Sequence, residues 1–379
     1  MIDKMFIDAA LQGYTSADIK EAVVEVLNPY FDHSDSLKKH ACDSQLLPVF
    51  EFFVRYYYDS EFLPGIKSIT DYYKDVCKRY EEKFWDIILF SSDIMIEDDN
   101  KMWSVRNNKV DLKEEDLYEK MMQIFGRIGN ILEVSAKHIT QELYALIYLY
   151  NNGHVDYEEI RKQDFGVVIN NILVKGLFCS ILNTKPYDMK LSDWRNIAYH
   201  HTYSLDDKTV KCTYGKQKQK SISMTMKELE ECAHNIIRSC NILYIARNIF
   251  IFDYIDNIPK IQLRENVSLR QSILCNQFNI GLLSQEFMLE EVLLSEQKIE
   301  IDIRDLAIAE DKMSRIVHCS QLLLNTWNVW KRDVICINYI DYFGEKVCKL
   351  SVDGETCKVI YDGKEDLCYL ATKFVYEYY

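Results

Sequence analysis

Only 12 glycines and 5 prolines punctuate a chain of 379 residues. Turns and strand ends draw heavily on these two residues, so their scarcity favours long helices over many short strands. The apolar residues repeat with the matching period. Ile19, Ala22, Val23, Val26 and Leu27 form one helical stripe, and Leu46, Leu47, Phe50, Phe53, Val54 and Tyr57 a second. Ile66, Ile69, Tyr73, Val76, Tyr80, Phe84 and Ile87 form a third. Hydrophobic residues make up 48% of the chain, enough to bury a sizeable core, and the length suits two or three domains.

The polar run Glu97-Asp98-Asp99-Asn100 reads as a break that closes an N-terminal helical domain over 1–100. A long helix follows through Leu117, Met121, Ile124, Phe125, Ile128, Ile131 and Leu132, then through Ile139, Leu143, Leu146 and Ile147. Gly153 is placed to cap its C-terminus. Another helix carries Phe165, Val168, Ile169, Ile172 and Leu173, and Asn183-Thr184-Lys185-Pro186 interrupts the chain after it. Ser192 or Asp193 is expected to cap a helix running to His200. A small hairpin is expected from Thr202 to Met224, and Thr225-Met226-Lys227-Glu228 is a capping box for a long last helix. These elements define a helical domain over 101–255. Beyond it, alternating stretches at Ile299 to Ile303, Val334 to Ile340, Val347 to Val352 and Thr356 to Tyr361 predict a small α+β domain over 256–379. Asp353-Gly354 signals a hairpin there, and a terminal helix is expected to end at Tyr379.

The N-terminal stretch has no basic segment followed by an apolar run, so no secretory signal is expected. The richest apolar run, Ile236 to Ile251, is interrupted by Arg238 and Arg247, so no membrane span is expected and the location is read as cytoplasmic. The 12 cysteines are scattered without a C-x-x-C pair and read as buried, reduced thiols; no metal or other cofactor is expected. No P-loop, dinucleotide-binding glycine pattern or Gly-x-Ser-x-Gly elbow occurs, which argues against ATPase, dehydrogenase and hydrolase readings of those types. The net charge of −14 disfavours indiscriminate binding to nucleic acid, so any such function needs a local basic patch.

The residues with the clearest chemistry are Arg195 and His200, in the run Arg-Asn-Ile-Ala-Tyr-His. RNA cleaves itself when its 2′-hydroxyl attacks the adjacent phosphorus. An imidazole can take that proton near neutral pH, and a guanidinium offers fixed donors to the charge that builds on phosphorus. On an ideal helix positions 195 and 200 lie about 140° apart, whereas Asn196 and His200 share a face. Convergence therefore needs the reach of Arg195, a helix irregularity or a second subunit. Lys208, Lys211, Lys216, Lys218 and Lys220 form a basic island with no carboxylate among residues 208–220. Lys211, Lys216, Lys218 and Lys220 are candidate phosphate contacts and Tyr214 a stacking partner for a base. Each also has a plain structural reading, the lysines as guards of an edge strand.

The R-x4-H motif after long helices and a Pro-containing break, with a hairpin and a capped helix behind it, resembles the HEPN superfamily. The resemblance covers about residues 105 to 252, and the Asn196 after Arg195 matches the commonest form of that motif. It implies a HEPN-like helical bundle and a metal-independent endoribonuclease acting on an RNA substrate, usually as a homodimer. It also implies a role as toxin or abortive-infection effector in antiphage defence, with room for a protein partner or antitoxin. Arg195 and His200 would be catalytic and Asn196 would assist, with Tyr199 and His201 as supporting candidates. Glu133, Lys137 and His138 would lie on a helix near the site. A second reading keeps the bundle as a non-catalytic dimerisation or interaction module.

Overall fold

A computed structural model describes residues 2–107, 116–215, 219–258, 268–308 and 311–379. Helices dominate, in agreement with the scarcity of turn residues. The packing groups the chain into two units that differ from the domains expected. One unit joins Tyr30–Ser36 to Phe53–Leu269; the other joins Met1–Pro29, Leu37–Phe52 and Arg270–Tyr379.

The first unit is a helical bundle. Its principal helices are α1 (Phe62–Arg79), α2 (Glu81–Asn107), α3 (Leu117–Ile131), α4 (Lys137–Asn152), α5 (Phe165–Val174), α6 (Leu191–His200) and α7 (Met226–Asp253). The expected break at Glu97–Asn100 does not occur, because α2 runs straight through it. Glu97 is exposed, but Asp98 and Asp99 face the bundle. Asp98 is only 4% exposed and lies 2.7 Å from His138 Nδ1, and Asp99 accepts from Tyr244 Oη. Acidic residues tied inward in this way leave no linker to divide the chain.

Between α3 and α4 the helix does not stop. It loosens into one π-helical stretch, Leu132–Ala136, and resumes. Gly153 ends α4 in the left-handed conformation at φ 74°, as the sequence predicts. The Thr225–Glu228 capping box opens α7 as expected.

The core is built from the apolar stripes: Met121, Phe125 and Ile128 of α3, Leu143 and Leu146 of α4, Ile169 and Ile172 of α5, and Leu229, Ile236 and Leu243 of α7 are all buried. A second, polar core element lies among them. Glu142 is fully buried and takes Arg247 Nε on both oxygens at 3.0 Å. Tyr73 Oη and Ser91 Oγ also donate to it. The carboxylate is fully paired, while the Arg247 Nη2 is buried without a hydrogen-bond partner among the described residues, so the cost of burying the two charges is offset mainly on the glutamate side.

α6 is anchored by Trp194, which has no exposed surface and whose indole N–H donates to Thr184 Oγ1 at 2.8 Å. It lies close against α3: a Cβ on Gly129 would sit 3.3 Å from the Ala198 Cβ. Its N-cap is Lys190, with no side-chain cap bond, so Ser192 and Asp193 fall inside the first turn and not at the cap. At the other end His201 adopts φ 52°, and the N–H groups of His201 and Thr202 both reach the carbonyl of Ile197. That left-handed residue turns the chain into a three-stranded antiparallel sheet, β1 (Tyr203–Asp206), β2 (Thr209–Tyr214) and β3 (Lys220–Thr225). One more strand is present than the hairpin expected, because Asp207 at φ 54° folds residues 203–214 back on themselves.

The second unit contains α8 (Gln271–Leu283), β4 (Phe287–Leu294), β5 (Lys298–Asp305), α9 (Lys312–Trp330), β6 (Val334–Ile340), β7 (Lys346–Asp353), α10 (Gly354–Tyr361) and β8 (Val375–Tyr378). The five strands order as β8-β7-β6-β5-β4, antiparallel except for the β5–β6 pair that α9 connects. Ile299, Ile301 and Ile303 of β5 and Ile335 and Ile337 of β6 share a core with Leu323 and Trp327 of α9. On the other face β5 presents Lys298, Glu300, Asp302 and Arg304, and Asn338 Nδ2 of β6 donates to Asp302 Oδ1 at 2.7 Å.

At the amino end, Phe6 is buried, and Ser16 N–H donates to Glu286 Oε2 at 3.2 Å. Residues 1–29 therefore belong with the C-terminal sheet and not with a separate N-terminal domain.

Two expectations fail in this unit. Thr356 to Tyr361 is helical, because Asp353 caps that helix by accepting from the Thr356 N–H at 2.8 Å. Gly354 is needed for close packing, since a Cβ there would meet the Arg332 carbonyl oxygen at 2.3 Å. The chain end is not a helix but β8, paired antiparallel with β7 from Val375–Ser351 to Tyr378–Cys348. No helix among the described residues is long and apolar enough to cross a membrane.

Candidate active site

A cleft of about 630 Å³ opens in the helical bundle, and Arg195, Asn196 and His200 all line it. Arg195 and His200 both border the cleft, and the guanidinium of Arg195 is turned to Glu133. Its Nε and Nη2 both lie 2.9 Å from Glu133 Oε2, and its Nη1 donates to Asn196 Oδ1 at 3.4 Å. The guanidinium carbon stands 4.5 Å from the centroid of the Tyr199 ring. Tyr199, one turn along α6 from Arg195, thus supports the cation from below. Asn196 is half-buried, and His200 is exposed at the cleft wall with no hydrogen-bond partner among the described residues.

The π-helical stretch supplies the opposing group. Glu133 lies within it and Lys137 follows it directly; Lys137 Nζ sits 2.9 Å from Glu133 Oε1. Burial raises the Glu133 carboxyl, but the hydrogen bonds from Lys137 and Arg195 outweigh it and hold the group below the ordinary glutamate range. Glu133 and Lys137 both line the cleft. His138 does not join them: its ring turns away to Asp98.

The opposite wall was not read from the sequence. It is formed by Arg161, Lys162, Gln163 and Asp164, the polar link that precedes α5, and by the first residues of that helix. Lys190 and Asp193 add charge at one end, Lys190 Nζ donating to Asn170 Oδ1 at 2.6 Å. The lining carries five cationic side chains (Lys137, Arg161, Lys162, Lys190 and Arg195) against three carboxylates (Glu133, Asp164 and Asp193). Lys137 and Arg195 pair with Glu133, Arg161 with Glu158 and Lys162 with Glu159, so the lining carries a formal excess of cations, most of them paired, in a chain of net charge −14. The run Arg161-Lys162-Gln163-Asp164 is too short and too mixed to stand out in the sequence; only the fold brings it opposite α6.

The basic island is drawn in less than expected. Lys211 pairs with Asp206 at 2.5 Å across the β1–β2 turn, a carboxylate just outside the island. Lys220 lies 5.9 Å from the Tyr214 ring, and neither of these two residues lines the cleft, although Gly215 does. Lys216 and Lys218 lie outside the described residues. His201 faces away, with Nδ1 3.0 Å from Tyr203 Oη, and the Tyr203 ring stacks on Phe125 at 4.1 Å. It serves the helix end and not the cleft.

Cys336, Cys348 and Cys357 are buried while Cys368 is exposed, so the four do not share one environment. Burial pushes the Cys357 thiol up to about 12. No family model, curated protein or solved structure matches the chain.

Proposed function

We propose that this chain is a metal-independent endoribonuclease of HEPN type. His200 takes the proton of an RNA 2′-hydroxyl, whose oxygen attacks the neighbouring phosphorus. The bond from phosphorus to the 5′-oxygen breaks, and that oxygen leaves with a proton from solvent. The products are a 2′,3′-cyclic phosphate and a 5′-hydroxyl. Arg195 donates to the phosphorane oxygens, and Lys137 adds a second cation. Glu133 and Tyr199 hold the guanidinium, and Asn196 assists from the same helix.

One observation carries the reading: the three motif side chains open onto a single cleft whose lining is cationic in an acidic chain. The resemblance adds the rest of the proposal, a cytoplasmic homodimer acting as a toxin or abortive-infection effector in antiphage defence, with a neutralising partner allowed for. A second reading has one observation in its favour. Arg195 already has a carboxylate partner in Glu133, as a purely structural arginine would. On that reading the bundle is a non-catalytic dimerisation or interaction module of a defence complex.

Incubation of the purified protein with total RNA in EDTA, beside His200→Ala, separates the two. Cleavage by the wild type alone, with cyclic phosphate ends, is the expected result. Silence from both proteins favours the interaction module.

A further inference from the structure

We propose that Asp193 selects the base beside the scissile phosphate and that this base is guanine. The inference rests on the nuclease reading above and adds the substrate feature that the cleft recognises. α6 presents Asp193, Asn196 and His200 to the cleft at the spacing i, i+3, i+7, one continuous face of the helix. The helical rise sets Asp193 about 10 Å along the axis from His200. A nucleotide whose phosphate lies at His200 and Arg195 therefore has its base near the Asp193 end.

The three cleft carboxylates are not equivalent. Glu133 is occupied by Lys137 and Arg195, and Asp164 is exposed to water. Asp193 is half-buried and has no hydrogen-bond partner among the described residues. Burial raises its carboxyl pKa, while Lys190 and Lys220 act against that. A position in the first turn of α6 suits an acidic side chain electrostatically, but a fully exposed aspartate would serve that purpose equally well. An acceptor partly withdrawn from water and left unpaired gains most when a ligand supplies donors.

The ligand group there is not a phosphate, which a carboxylate repels. It is a neutral group with donors, and a carboxylate accepts two parallel bonds best. Among the four RNA bases only guanine offers two adjacent N–H donors on its Watson–Crick edge, at N1 and N2. Adenine and cytosine offer one exocyclic amine there, and uracil offers N3–H flanked by acceptors. Splayed bases in single-stranded RNA are read on that edge. The Lys190 ammonium has three donors and spends one on Asn170, which leaves donors for the guanine O6.

Binding of non-cleavable 2′-O-methyl hexanucleotides tests this directly. Each is uridine apart from one central guanine, inosine or adenine, and affinity is read by fluorescence anisotropy for wild type and Asp193→Asn. The wild type should favour guanine over adenine by about 5- to 150-fold, the range of one good bidentate pair, with inosine between them. Asp193→Asn should bind all three alike. Equal wild-type affinities, or a guanine preference that survives in Asp193→Asn, would overturn the assignment. The same sequences with a 2′-hydroxyl at the guanine or adenine separate this from the nuclease reading. Guanine preference in binding without cleavage removes the nuclease alone. Cleavage indifferent to the base removes the role of Asp193 alone. No binding to any oligonucleotide removes both.

Discussion

Two arginine–glutamate pairs lie in the same helical bundle in opposite surroundings. Arg247 and Glu142 meet in the core, where Tyr73 and Ser91 complete the coordination of the carboxylate and neither partner lines the cleft. Arg195 and Glu133 meet on a cleft wall, each about 24% exposed, with the cation resting on an aromatic ring. The chemistry of the pairs is the same. What separates a structural pair from a candidate catalytic one is whether a ligand can reach the cation. A buried pair is costly to break from either side, while an open one can exchange its partner for a phosphate.

The widest separation between the two is expected from His200→Ala and Arg195→Ala. Each should lower RNA cleavage by about 10²- to 10⁴-fold; His200→Ala should leave the urea midpoint within experimental error, and Arg195→Ala, which frees Glu133, should cost no more than about 1 kcal/mol. Equal losses of stability would show that the cleft pair is structural as well. Glu142→Leu should do the reverse. It strands the Arg247 charge in the core and should destabilise the protein by about 3–5 kcal/mol in urea unfolding.

Glu133→Gln should act more weakly, through the guanidinium it positions, with a cleavage loss of about tenfold or less. It should also flatten the acid limb of the stability curve. The depressed Glu133 pKa contributes stability that is present above the unfolded-state value, near 4.5, and is lost as pH falls through the folded value. The variant should therefore take up fewer protons on unfolding in acid. Lys211→Ala should change least. The ion pair with Asp206 is at the surface, so stability should move by under about 0.5 kcal/mol and cleavage should not change.

The helices of both pairs were legible in the sequence, because long apolar stripes at a period of 3.6 leave little choice. The Arg195–His200 segment was legible for a different reason: its residue types match a definite chemistry. The opposite wall was not legible. Arg161 and Lys162 face α6 only because α4 and α5 pack side by side, a non-local fact. Asp353-Gly354 misled because the same two residues open a hairpin or cap a helix, and Thr356 decides between them by offering its N–H to Asp353. Glu97–Asn100 misled because acidic residues mark a loop only when water is their partner, and here His138 and Tyr244 are.

The π-helical stretch at Leu132–Ala136 has one further consequence. Its wider turn takes up about one residue more than a regular turn, so the rod keeps one angular setting on both sides of it. Removing one residue there would return the turn to regular winding and leave the residues downstream facing as they do now. Glu142 would stay on Arg247, while the turn that carries Glu133 toward Arg195 would be lost. In this bundle the extra residue between Ile131 and Lys137 is a heritable setting for the cleft pair alone, separate from what those residues are.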